Sequence, residues 1–146
     1  MSRRVVHATD FSRASAAAFA WAVDSAKARR AELLLVHVLA PVIPLVGDGY
    51  VSPATYEELA ASARAWARKK LGALVARARA RGVRATGLLL EGVAHEQIVR
   101  AAKGRRAGLL VIGTHGRTGV ARFFLGSVAA RVAATAPCPV LTVRGR

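Results

Sequence analysis

The segment LLVIGTHGRTGVARFFLGS, residues 109–127, decides how this chain is read. Leu109-Leu110-Val111-Ile112 is an unbroken apolar run, the pattern of a strand covered on both faces in a parallel sheet. It passes straight into a glycine-rich stretch, Gly113 to Gly126, and Ser127 then opens a helix to about Ala136. Gly113-Thr114-His115-Gly116 and Gly126-Ser127 together give the spacing G-x2-G-x9-G-S. This pattern makes physical sense as an anion cradle. Gly113 and Gly116 let the backbone approach a phosphate with no Cβ in the way. Gly126 and Ser127 begin a helix, whose free N–H groups and positive dipole end attract negative charge. The segment is not a Walker A loop, because no lysine lies between Gly113 and Ser127. Nor is it the G-x-G-x-x-G dinucleotide fingerprint, since its glycines follow the fourth strand rather than the first.

Working outward, the rest of the chain alternates strands and helices. Val5-Val6-His7-Ala8 reads as a first strand, and Ser12 as the N-cap of a helix to about Arg30 with Ala16, Phe19, Val23 and Ala26 at helical spacing. Leu33 to Leu39 is a second buried strand. Ala40 to Pro53, with three prolines and two glycines, is a loop. A long helix spans Ala54 to Arg81, with Leu59, Ala63, Trp66, Leu74 and Ala78 expected on its core face and Gly82 closing it. Val83 to Leu90 is a third strand and His95 to Lys103 a short helix. Pro137-Cys138-Pro139 breaks the last helix, and Val140 to Val143 forms a fifth strand. Alternation of this kind predicts one α/β domain over residues 1–146, an open parallel sheet with helices on both faces. Ligands of such sheets bind beyond the carboxyl ends of the strands.

Composition narrows the classes. An apolar fraction of 53% in 146 residues supports one buried core and argues against disorder. The longest apolar candidate for a membrane span, Val38 to Val46, carries two prolines and stops short of the ~18 residues needed. Asp10 and Arg13 interrupt any signal-peptide core, so the expectation is a soluble cytoplasmic protein. The single cysteine, Cys138, excludes an internal disulfide framework and a multi-cysteine zinc site. Twenty-three Lys and Arg against eight Asp and Glu give a net charge of +15, which favours anionic partners.

The chain resembles the universal stress protein family over essentially its whole length. The resemblance rests on Ala8-Thr9-Asp10-Phe11-Ser12, His37-Val38, Gly113-Thr114-His115-Gly116 with Gly126-Ser127, and Pro137-Cys138-Pro139-Val140. It implies a Rossmann-like five-stranded parallel sheet in the order 3-2-1-4-5, and the branch that keeps the glycine motif and binds ATP. In that branch Asp10 lies at the adenosine pocket and Val38 meets the adenine through its backbone. Gly113, Gly116, Gly126, Ser127 and Val128 surround the ribose and phosphates. Ala8 and Thr9 before Asp10, Ile112 before Gly113, and His115 and Arg117 in the loop complete the expected contacts. The resemblance also implies a homodimer through the last strand, whose apolar edge invites pairing.

Each residue has a plainer reading. Asp10 could only help cap the first helix, or could meet a magnesium ion carried by the nucleotide. Arg117 and Arg122 could be solvated, and His7 and His37 packed strand residues. The leading expectation is an adenine-nucleotide-binding regulatory protein of the stress response. The alternatives are a slow ATPase or phosphate-transferring enzyme and a basic nucleic-acid-binding module. Against the last stands the basic stretch Arg64 to Arg84, on and just after the long helix, whose one aromatic, Trp66, offers no stacking platform.

Overall fold

A computed structural model describes residues 4–41, 52–115 and 125–145. Strands β1 (Arg4–Ala8), β2 (Glu32–Leu39), β3 (Ala85–Glu91), β4 (Leu109–Gly113) and β5 (Val140–Val143) alternate with helices α1 (Arg13–Arg29), α2 (Pro53–Ala80), α3 (Ala94–Gly104) and α4 (Ser127–Thr135). All strand pairs are parallel, and the sheet order is β3-β2-β1-β4-β5. The fold class and strand order are those expected from the sequence. Chain connectivity reverses direction between β1 and β4, and that reversal is what opens a crevice at the carboxyl ends of these two strands.

Side-chain alternation splits the core into two layers. Val5, Leu33, Leu35, Leu109 and Val111 face α1 and α2. Val6, Leu34, Val36, Leu110 and Ile112 face α3 and α4. The register places Val6 beside Leu34 and Leu110, and Ala8 beside Val36 and Ile112. The three central strands are therefore covered on both sides, which is why their sequences read as continuous apolar runs.

The Ser12 side chain caps α1 by accepting the Ser15 N–H at 3.3 Å. Phe19, Val23 and Ala26 are buried as the spacing implied, with Ala18 and Ala22 buried beside them, whereas Ala16 is exposed. The core face of α2 keeps the expected Ala78, with Leu74 packed against the core, but differs in its first half. Leu59 is 52% exposed and Trp66 42%, and the buried positions are Ala67, Leu71 and Ala78. At ~1.5 Å per residue the 28 residues of α2 run ~42 Å, whereas the seven of β3 cover only ~23 Å. The first turns of α2 therefore have little sheet beneath them. Arg81 is the cap residue of α2, and Gly82 follows it at φ +83°, where a Cβ would be disfavoured.

Candidate functional site

The chain leaves β1 through Thr9 and Asp10 into a tight turn. Asp10 Oδ1 accepts the Ser12 N–H at 3.0 Å and the Ser15 hydroxyl at 2.7 Å, while Ser15 Oγ accepts the Asp10 N–H at 3.2 Å. Burial pushes the Asp10 pKa up, but the hydrogen bonds from Ser12 and Ser15 outweigh it and hold the carboxyl below its ordinary value. Phe11 takes φ +64° between them, and its N–H donates to Thr9 Oγ1 at 3.0 Å. Its ring lies 4.4 Å from that of His37 and meets Trp66 edge-on at 5.4 Å. His37 Nδ1–H in turn donates to the Thr9 carbonyl at 2.7 Å. The exits of β1 and β2 are thus held together by an imidazole bond and an aromatic contact.

The exit of β4 is tied to α4 and to β5. The Gly126 N–H donates to the Thr114 carbonyl at 2.6 Å, and the Thr114 N–H to the Val143 carbonyl at 2.9 Å. A Cβ built on Gly113 would stand 2.9 Å from the Ala14 backbone, and one on Gly126 2.9 Å from the Thr114 oxygen. Gly113 thereby serves close packing of β4 on α1, a role distinct from the open phosphate approach inferred from the sequence. Thr114 Oγ1 and His115 Nδ1 are 2.8 Å apart.

Between these exits lies a cavity of about 250 Å³. Ala8, Thr9 and Asp10 line it from β1, Val38 from β2, Ile112, Gly113 and His115 from β4, and Gly126, Ser127 and Val128 from the start of α4. All ten of these sequence-selected residues come together there. Gly116 and Arg117, the other two, lie outside the described residues. Ser15, Val36, His37, Thr114, Ala94 and Ile98 also line the cavity. Ser15 follows the expected N-cap Ser12 by three residues and was not singled out in the sequence; α3 carries no motif, and its place follows only from the crossover between β3 and β4.

Two of the helix starts at the cavity, those of α3 and α4, lack the side-chain caps of α1 and α2. Ser12 and Ser52 cap α1 and α2 with side-chain hydrogen bonds. The N-caps of α3 and α4 are Val93 and Gly126, and neither makes a side-chain cap. Ala94 and Ser127, the first residues of those helices, both line the cavity. Their first-turn N–H groups bring two positive dipole ends to one rim. Asp10 is the sole carboxylate among the lining residues. No group of three or more His, Cys, Asp or Glu suited to a metal occurs among the described residues.

The profile of the universal stress protein family matches residues 1–144. A universal stress protein of Thermus aquaticus is 38% identical over 146 residues, covering 99% of this chain and 100% of the relative. Among solved structures, hypothetical protein MJ0577 of Methanocaldococcus jannaschii superposes with a TM-score of 0.82 at 25% identity, covering 100% of this chain and 98% of that one. A universal stress protein in complex with cAMP gives 0.69 at 27% identity, covering 99% and 98%. One from Archaeoglobus fulgidus in complex with dAMP gives 0.66 at 26%, covering 96% of each chain.

Proposed function

This chain belongs to the universal stress protein family, and on that premise we propose that it is a regulatory protein that binds an adenine nucleotide, ATP foremost, in the cavity between β1 and β4. The observation that carries the reading is the convergence of two helix starts without side-chain caps on a cavity at the strand crossover. The similar proteins solved with cAMP and dAMP support it. At about 250 Å³ the cavity is close to the smallest ligand pockets, roughly 300 Å³.

In this reading the Val38 backbone meets the base, Asp10 meets the ribose, and the N–H groups opening α4 meet the phosphates. Gly116 and Arg117 complete the phosphate side. Bound nucleotide would supply phosphate oxygens, to which magnesium could be held with Asp10 as its one carboxylate. Hydrolysis is slow at most, because Asp10 is committed to Ser12 and Ser15 instead of standing ready as a base. Nucleotide occupancy is then the signal. The protein works in the cytoplasm as a homodimer paired through β5, which lies at one edge of the sheet. Native mass spectrometry of freshly purified protein tests this. A mass increment of ATP or AMP on a two-chain species is the expected result. A bare chain that stays bare with millimolar ATP and magnesium would overturn it.

A further inference from the structure

We propose that the end of the molecule opposite the cavity binds the phosphate backbone of double-stranded DNA. In a parallel α/β sheet every helix finishes at the amino ends of the strands, and here each of the first three finishes in exposed basic residues. Lys27, Arg29 and Arg30 close α1. Arg79 and Arg81 close α2, with Arg84 leading into β3. Lys103, Arg105 and Arg106 close α3, and Arg4 opens β1 beside them, its guanidinium donating to the Arg105 carbonyl at 3.2 Å. Among the described residues the acids at this end are Asp24, paired with Arg81 at 3.0 Å, and Glu32, paired with Arg4 at 3.3 Å. Asp10, Glu57, Glu58, Glu91 and Glu96 all sit at the strand exits or the helix starts, toward the other end.

Helix dipoles alone do not account for this. A dipole favours a cation in the last turn, a demand that Lys27, Arg29, Arg79 and Lys103 already meet. Arg30, Arg105, Arg106, Arg84 and Arg4 lie beyond those turns. Arg30 and Arg106, moreover, hold φ +52° and +51°, the left-handed conformation that a Cβ disfavours and that glycine fills at the equivalent position after α2. Charge is kept at two places where glycine would fit with less strain. Unneutralised, such a field repels itself, and a polyanion relieves it.

The patch itself selects the partner. From β3 to β4 the strand starts span about 14 Å, a length of duplex that carries about eight phosphates on its two strands at one charge per ~1.7 Å, of which one face presents about four. A shallow groove there is lined by Arg79, Arg84, Glu32 and Thr86. Among the described residues the large exposed apolar side chains, Trp21, Leu59, Trp66, Val93 and Leu125, all lie away from the helix ends, so none of them is placed to insert into a lipid surface or stack on unpaired bases.

The test is fluorescence anisotropy with a 20-base-pair DNA duplex. The expected result is binding at 50 mM KCl that weakens at least a hundredfold by 200 mM. The double variant Arg30→Gly/Arg106→Gly should lose at least tenfold in affinity at 100 mM KCl and flatten the log–log salt slope by about two, while its thermal midpoint holds or rises. Arg68→Gln/Lys69→Gln, two exposed charges in the middle of α2, should leave the slope within one of the parent. No binding at 50 mM, equal loss in both double variants, or tighter binding to phosphatidylserine vesicles than to the duplex would each overturn the proposal.

Discussion

Asp10 and His7 stand three residues apart at the end of one strand, and in both the pKa falls, for different reasons. In Asp10 the Ser12 and Ser15 hydrogen bonds overcome burial and favour the anion. His7 is fully buried; its Nδ1–H donates to the Val111 carbonyl at 3.0 Å and its Nε2 has no partner among the described residues. Burial favours the neutral ring and lowers its pKa from 6.5 to about 4. The unfolded chain therefore takes up a proton between pH 6.5 and about 4 that the native one refuses. Stability from this source is complete above that window and is lost as pH falls through it, by about 1.4 kcal/mol per unit. Thermal melts at pH 7 and pH 5 should show the loss, and His7→Leu should flatten it whatever its absolute stability. An unchanged slope in that variant would assign the loss elsewhere. Asp10 acts in a lower window, its contribution present above its ordinary value of 3.8 and lost as pH falls below it.

At the scale of elements, the start of α4 separates binding from folding. Ser127 is exposed at its first position, behind an N-cap with no side chain. Ser127→Glu places a negative charge where the helix dipole welcomes it, adding about 0.3–1 kcal/mol, and where a phosphate would also lie. Calorimetry should find ATP affinity at least tenfold weaker with an unchanged or higher thermal midpoint. Gly113→Ala behaves in the opposite way. Its Cβ would press on the Ala14 backbone at 2.9 Å, so a loss of about 1–3 kcal/mol in denaturant unfolding is expected. How legible each element was follows from what covers it. The run Leu33–Leu39 announced a buried strand because both faces are covered. Ser12 announced a helix start because capping is local chemistry. The buried stripe of α2 was misread at Leu59 and Trp66, since an apolar period does not say where the supporting sheet stops. Ala94 and Ile98 entered the cavity unannounced, because α3 reaches it through the crossover and not through any motif of its own.

Across the whole molecule, charge and function divide along the strand axis. Strand exits, helix starts and most of the acids lie at the cavity end, and the helix ends with their arginines lie at the other. At the sheet edge, β5 carries Val140, Leu141 and Thr142 half-buried in the single chain, consistent with a surface that a second copy covers. Sedimentation at micromolar concentration should give twice the chain mass, and a monomer there would contradict pairing through β5. No described helix is long and apolar enough to cross a membrane. The central claim, that the rim between β1 and β4 grips an adenine nucleotide, is tested most directly by titrating ¹⁵N-labelled protein with Mg-ATP and following the amide resonances. The predicted result is saturable shifts gathered at residues 8–10, Val38, 113–115 and 126–128. Shifts absent at millimolar ATP, or gathered at Arg30, Arg84 and Arg106, would contradict it.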